Sequence, residues 1–218
     1  MAASRVNFVE SAIWNGTSGT SYASPAQSVT AGNTLVANIG FFNHPGTVTG
    51  VTDTAGNSYT KCAHVFNAGD QYREEVWLAA SIVGHAANIV TATFSIAVSF
   101  RGICIAQYSG LGTAVLNDTK QTVVNPPGAT PTLTSASPDA VHLLMTRWGY
   151  GTTGFPAGFT KFSTGGGAMP EVADKMVAGG FSGTYTLTSA NWFALAVIIG
   201  AGAPAAVARA DSYVWGPV

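Results

Sequence analysis

The sequence predicts an all-β sandwich, and three observations predict it: helical periodicity is nearly absent, short apolar runs alternate with turn residues, and the two halves carry a faint repeat. No long window places apolar residues at i, i+3, i+4 and i+7, because Gly or Thr interrupts most of them. What recurs is a run of Val, Ile, Thr and aromatic residues closed by Gly, Asn, Asp or Pro. At 218 residues, a sandwich of this kind is ordinarily one domain with one core.

Taken in order, strands are expected at 5–14, 26–30, 33–42, 47–53, 58–66, 71–82, 88–95, 98–108, 120–124, 130–135, 139–148, 158–163, 170–178, 183–188 and 191–200. The repeat has four steps. Ala31-Gly-Asn-Thr-Leu35 with its long apolar strand to Phe42 recurs as Ser137-Pro-Asp-Ala-Val141 running to Trp148. Glu75-Val-Trp-Leu-Ala-Ala recurs in outline as Glu171-Val-Ala-Asp-Lys-Met. Val90-Thr-Ala-Thr-Phe-Ser95 answers to Tyr185-Thr-Leu-Thr-Ser189, and the strand from Phe100 answers to the one from Phe193. The shared order leads us to expect a two-sheet antiparallel jelly-roll-like sandwich with an internal four-strand duplication, each half supplying strands to both sheets. Residues 109–137 read as a crossover between the halves. Residues 1–202 form the expected sandwich domain, and the Ala-rich 203–218, ending in Tyr213, Val214 and Trp215, form a C-terminal tail that serves as an interface segment.

Composition narrows the function. Hydrophobic residues make up 47% of the chain and charged residues 9%, against about 25% charged in an average soluble protein. A surface of Gly, Ser, Thr, Asn and Ala suits either solubility without ion pairs or coverage by neighbouring copies. With a net charge of −1 and scattered cations, no basic stripe is available for a nucleic-acid backbone. No apolar run approaches the ~20 residues of a membrane span, so no membrane insertion is expected. The start lacks a cationic region followed by an apolar run, which leads us to expect no secretory signal and synthesis in a cytoplasm. Cys62 and Cys104 have no CxxC or His-spaced companion, which argues against a metal site and leaves free thiols and an inter-strand disulfide both open.

The chain resembles a domain type met in bacteriophage virion proteins and in bacterial secreted or surface proteins. The resemblance rests on Ala31-Gly-Asn-Thr-Leu35, Val51-Thr-Asp-Thr-Ala-Gly-Asn-Ser-Tyr59, Glu75-Val-Trp-Leu-Ala-Ala80, Val90-Thr-Ala-Thr-Phe94, Gln107-Tyr-Ser-Gly-Leu111 and Gly158-Phe-Thr160, in that order. It implies a jelly-roll-like sandwich used as a building block, decoration or adhesion module, and it carries over no active site.

The residues that could bear chemistry are few. Glu74 and Glu75 are adjacent on a strand, so their side chains leave on opposite faces and cannot act as an acid–base pair. Ser137, Asp139 and His142 lie close in sequence, but Asp139 and His142 have opposite parity, and a core or edge histidine is the plainer reading. Asp53-Thr-Ala-Gly-Asn57 could offer oxygens to calcium, yet Asp and Asn beside Gly are the ordinary residues of a β-turn. No cofactor and no catalytic residue is expected. The better binding candidates are aromatic rings beside Gly-rich loops: Trp14 and Tyr22, then Trp148, Tyr150 and Phe155, with Tyr213 and Trp215 in the tail. Such rings suit a core cap, a protein interface or a glycan. The expected function is a non-catalytic virion structural protein, a capsid decoration or a tail or fibre component, partnered by copies of itself and other virion proteins. The alternative is a secreted carbohydrate-binding or adhesion module, with a host-surface glycan as ligand.

Overall fold

The computed structural model describes residues 2–12, 17–42, 45–67, 71–111, 113–122, 128–129, 132–135, 139–146, 155–163, 171–184, 186–187 and 194–201. Among these residues there is no helix. The first half runs β1 (Ser4–Ala12), β2 (Gly19–Ala23), β3 (Gln27–Val29), β4 (Thr34–Phe42), β5 (Val48–Asp53), β6 (Thr60–Asn67), β7 (Tyr72–Ala79), β8 (His85–Asn88) and β9 (Val90–Ser109). The second runs β10 (Ala114–Thr122), β11 (Gly128–Ala129), β12 (Leu133–Ser135), β13 (Asp139–Thr146), β14 (Thr160–Ser163), β15 (Glu171–Ala178), β16 (Phe181–Gly183), β17 (Thr186–Leu187) and β18 (Ala194–Ala201).

The expected all-β, antiparallel architecture is present, but the halves share the work differently from the expectation. The main sheet of the first half has the order β1-β9-β4-β7-β6, and that of the second has the order β10-β18-β13-β15-β14. Each half thus builds its own sheet, and among the described residues no ladder joins the two. Alternation along β4 explains the layering. Val36 joins a core shared with Val141, Leu143, Val172 and Val197 of the second half. Leu35, Ala37, Ile39 and Phe41 point the other way, onto Val48, Val51, Val90 and Phe94. Both faces of this sheet are therefore covered, which is why β4 is buried at every position from Thr34 to Phe41. A third cluster, Leu133, Ala140, Leu144, Ala196 and Ile198, closes the outer face of the second sheet.

The turns follow their residues. Gly32 leads into β4 with φ +82, a conformation glycine adopts without steric cost, and its N–H reaches the Ile82 carbonyl at 2.9 Å.

Strand β9 departs most from expectation. The sequence pattern predicts two strands, at 88–95 and 98–108, whereas the chain passes as one 20-residue strand from one layer to the next. Its first part, from Val90 to Val98, pairs with β2 and β5, and its second, from Ser99, pairs with β4 and β1. No Gly or Pro stands at the crossing; the bend is made by Phe100 at φ +46 and a register shift opposite Phe41 and Phe42. Strands β2 and β8 fall where local composition carries no strand signal, because Gly-rich and Ala-rich stretches pair only when a neighbour is supplied.

Candidate functional site

At one end of the first half β1, β4 and β6 finish and β2, β5 and β7 begin, since Ala12 pairs with Gly102, Phe42 with Ser99, Gly19 with Val98, Val48 with Phe94 and Asn67 with Tyr72. The bend of β9 lies on this rim. It leaves Ile96 37% and Phe100 36% exposed. The Phe100 ring meets Phe42 edge-on at 6.0 Å, and Phe42 packs on the buried Tyr72 at 4.9 Å. A phenylalanine at positive φ is a strained placement, so the chain holds this ring outward against its backbone preference.

Beneath the rim, Arg101 is buried. Its Nη1 donates to the Thr17 carbonyl and, at 2.9 Å, to the Val98 carbonyl, and its guanidinium lies 5.4 Å from the Tyr22 ring centre. Gly19 leaves room for this guanidinium, since a Cβ there would sit 2.7 Å from Arg101 Nη2 and the arginine would have to shift.

Among the aromatic candidates, Tyr22 is half-buried, with its hydroxyl 2.6 Å from that of Ser11. Phe155 is half-buried against the outer cluster of the second half. These two rings thus belong to different halves and are not brought together. Trp14, Trp148, Tyr150, Tyr213 and Trp215 lie outside the described residues, as does the whole tail 203–218. Sequence reasoning missed Ile96, Phe100 and Arg101, because the expected break between 88–95 and 98–108 does not show which side chains the bend of the continuous β9 turns to the rim.

The carboxylates of Asp53, Glu75 and Asp174 are engaged in holding the fold. Asp53 Oδ1 accepts the Asn57 N–H at 2.8 Å, and Oδ2 accepts Asn57 Nδ2 at 2.8 Å, Tyr59 OH at 2.9 Å and Asn88 Nδ2 at 3.0 Å. Asn88 Oδ1 in turn accepts from Thr54 Oγ1 and the Ala55 N–H, both at 3.1 Å, and Asn57 Oδ1 accepts the Val83 N–H at 2.7 Å. Gly56, at φ +77, closes the turn. Burial alone would raise the Asp53 carboxyl, but the donors, those of Asn57 first, hold it below its ordinary value. Every described contact to these oxygens is a hydrogen donor, the arrangement of a turn rather than of a cation loop.

Glu75, fully buried, accepts from the Val48 N–H at 3.3 Å and Trp77 Nε1 at 3.2 Å, and pairs with Lys61 at 2.9 Å and Arg73 at 3.3 Å. Its neighbour Glu74 leaves on the opposite face, as strand alternation requires. Asp174 joins the halves, pairing with Arg5 Nη1 at 2.9 Å and accepting Tyr108 OH at 3.0 Å, while Arg5 stacks 4.3 Å from the Phe162 ring centre. Burial raises the Asp174 carboxyl above its ordinary value, with Arg5 the largest opposing influence.

His142 is buried edge-on to Phe181 at 4.6 Å, and burial, aided by Lys175, pushes it down to about 4. It is a neutral histidine within the second half. Ser137 lies outside the described residues, and so does the side chain of Asp139. Cys62 and Cys104 are free thiols, and burial pushes that of Cys62 up to about 12. Among the described residues no group of three or more His, Cys, Asp or Glu could hold a metal ion. No family model, curated protein or solved structure matches the chain.

Proposed function

We propose that this chain is a non-catalytic structural protein of a bacteriophage virion, a capsid decoration or a tail or fibre component, that assembles with its own copies and other virion proteins through surface contacts. The observation that carries the reading is the rim of the first half, where Phe100 is held outward at positive φ beside the exposed Ile96. Exposed apolar side chains on a chain with only 9% charged residues are poorly defended against association.

The strand order supports the finer reading of a duplicated, jelly-roll-like unit. In chain order, β1, β4, β6, β7 and the end of β9 take the same places in their sheet as β10, β13, β14, β15 and β18 take in theirs. The pairs β3-β8 and β12-β16 also correspond. Duplication of a unit that is already layered accounts for a long sheet with both faces covered.

The test is light scattering across a concentration series, with Ile96→Ser and Phe100→Ser combined. We expect wild-type protein to self-associate, and the double variant to keep its circular dichroism spectrum while shifting toward monomer. A wild-type chain that stays monomeric at high concentration and is absent from purified particles would sink the proposal.

A further inference from the structure

Glu74 has no exposed surface, and among the described residues neither of its carboxyl oxygens has a hydrogen-bond partner. Its β7 neighbours on the same face, Tyr72, Val76 and Leu78, belong to the core shared by the two halves. In register, Glu74 stands opposite Gly40 of β4 on one side and Val65 of β6 on the other, and Gly40 stands opposite Gly102 of β9. Two residues along β4 is Asn38, also fully buried, whose Oδ1 has no partner among the described residues.

The titratable and charged groups on this shared face are identifiable element by element. They are Tyr72 from β7, Cys62 from β6, Cys104 and Tyr108 from β9, Glu10 and Arg5 from β1, and Asp174 from β15. β4 contributes Val36 and the uncharged amide of Asn38, and β13, β14 and β18 contribute Leu143, Phe162, Val197 and similar apolar residues. The side chains of Asp139, at the start of β13, and of Asp118 and Lys120 in β10 lie outside the described residues. Arg5 pairs in register with Tyr108, six residues along β9 from Gly102, which places it about 20 Å from the row of Glu74. Arg5 is also engaged by Asp174. A carboxylate at position 74 would therefore be a buried charge with no described cation at hand, and burial favours the neutral acid.

We propose that Glu74 is a pH-sensitive joint between the two halves, lying in their shared packing as a neutral acid and weakening that packing when rising pH removes its proton. The sign follows from proton linkage. The unfolded chain releases this proton in the ordinary glutamate range, near pH 4.3, whereas the folded chain keeps it to higher pH, so stability falls as pH rises between the two values. In that interval one retained proton lowers the folding equilibrium constant by up to about tenfold per pH unit.

The experiment compares the full-length wild type with Glu74→Gln, and with Glu74→Leu in case the amide packs badly, by denaturant unfolding from pH 4.5 to 8. Groups common to both chains, including Asp174 and His142, cancel in the difference. We expect the stability gap to move in favour of the variants as pH rises, by up to about tenfold in equilibrium constant per unit. A gap that is constant with pH, or that moves in favour of the wild type, overturns the proposal. The joint itself is read by labelling Cys104, which is buried on the same face, with dithiodipyridine in a Cys62→Ser background. At pH 8 the chain that keeps Glu74 should label faster than the Glu74→Gln variant and faster than its global unfolding allows. Labelling limited to the rate of global unfolding would show that Glu74 acts on the whole fold and not on the joint.

Discussion

Phe100 and Phe41 are two phenylalanines of one half with opposite roles, and their energetics should differ accordingly. Phe41 is fully buried against Phe94 at 5.0 Å, so Phe41→Ala should cost about 3–5 kcal/mol. Phe100 is exposed at φ +46, where a non-glycine residue carries about 1–2 kcal/mol of backbone strain. Its edge-on contact with Phe42 returns about 0.5–1.5 kcal/mol. Phe100→Gly should therefore change stability by no more than about 1 kcal/mol, and chemical denaturation of the two variants checks the contrast. Asp53 is the second residue whose chemistry makes a prediction. An amide there would present N–H groups to donors, so Asp53→Asn should lose about 1–3 kcal/mol at neutral pH. Because the folded Asp53 carboxyl is held below its ordinary value, its contribution is complete above about pH 4 and is lost as pH falls through the folded value. The penalty of the Asn variant, measured by thermal melting, should shrink in strong acid. The Asp-Thr-Ala-Gly-Asn turn was legible in the sequence, since the donors from Asn57 and Tyr59 are local, whereas the Asn88 donor comes from 35 residues away and was not. Nothing local marked Phe100, whose φ is set by pairing with two different sheets.

At the scale of elements, the seam between β1 and the second half is held by Arg5, Tyr108 and Asp174. Asp174 is 3% exposed and Arg5 21%, so removing the arginine strands a carboxyl in the shared core. Arg5→Ala should cost about 3 kcal/mol. Asp174 is already raised above its ordinary value, and without Arg5 it should rise further, making the variant less stable with increasing pH across the carboxylate range. Unfolding at pH 4 and pH 7 tests both statements, and an unchanged difference between the two conditions would count against them. The sequence placed β15 well, as 170–178 against Glu171–Ala178, but held no hint that Asp174 would meet Arg5, because the contact depends on how the two sheets stack.

For the whole molecule, a chain so poor in charge must keep its apolar surface covered or present it to partners. The tail from Ala203 carries Tyr213, Val214 and Trp215, which are too apolar to favour solution. Deleting residues 204–218 should leave the melting temperature of the isolated chain nearly unchanged while weakening assembly, read by calorimetry and light scattering. A deletion that unfolds the chain would instead make the tail part of the core.

Taken alone, the sequence determined what nearest neighbours decide: the turns at Gly32 and Gly56, the opposite faces of Glu74 and Glu75, and most strand positions, though not β2, β8, the start of β10 or the continuity of β9. Periodicity reports which side of a strand is apolar, and the turn residues report where the chain reverses. Only the tertiary structure decided which strands share a sheet, since β1 pairs with β9 across most of the first half and no local preference encodes such a partner. It also decided that the first sheet is covered on both faces, that each half builds its own sheet, and that Phe100 faces outward. These outcomes depend on long-range packing, in which the same apolar strand can be satisfied by more than one neighbour until the whole set of layers is in place.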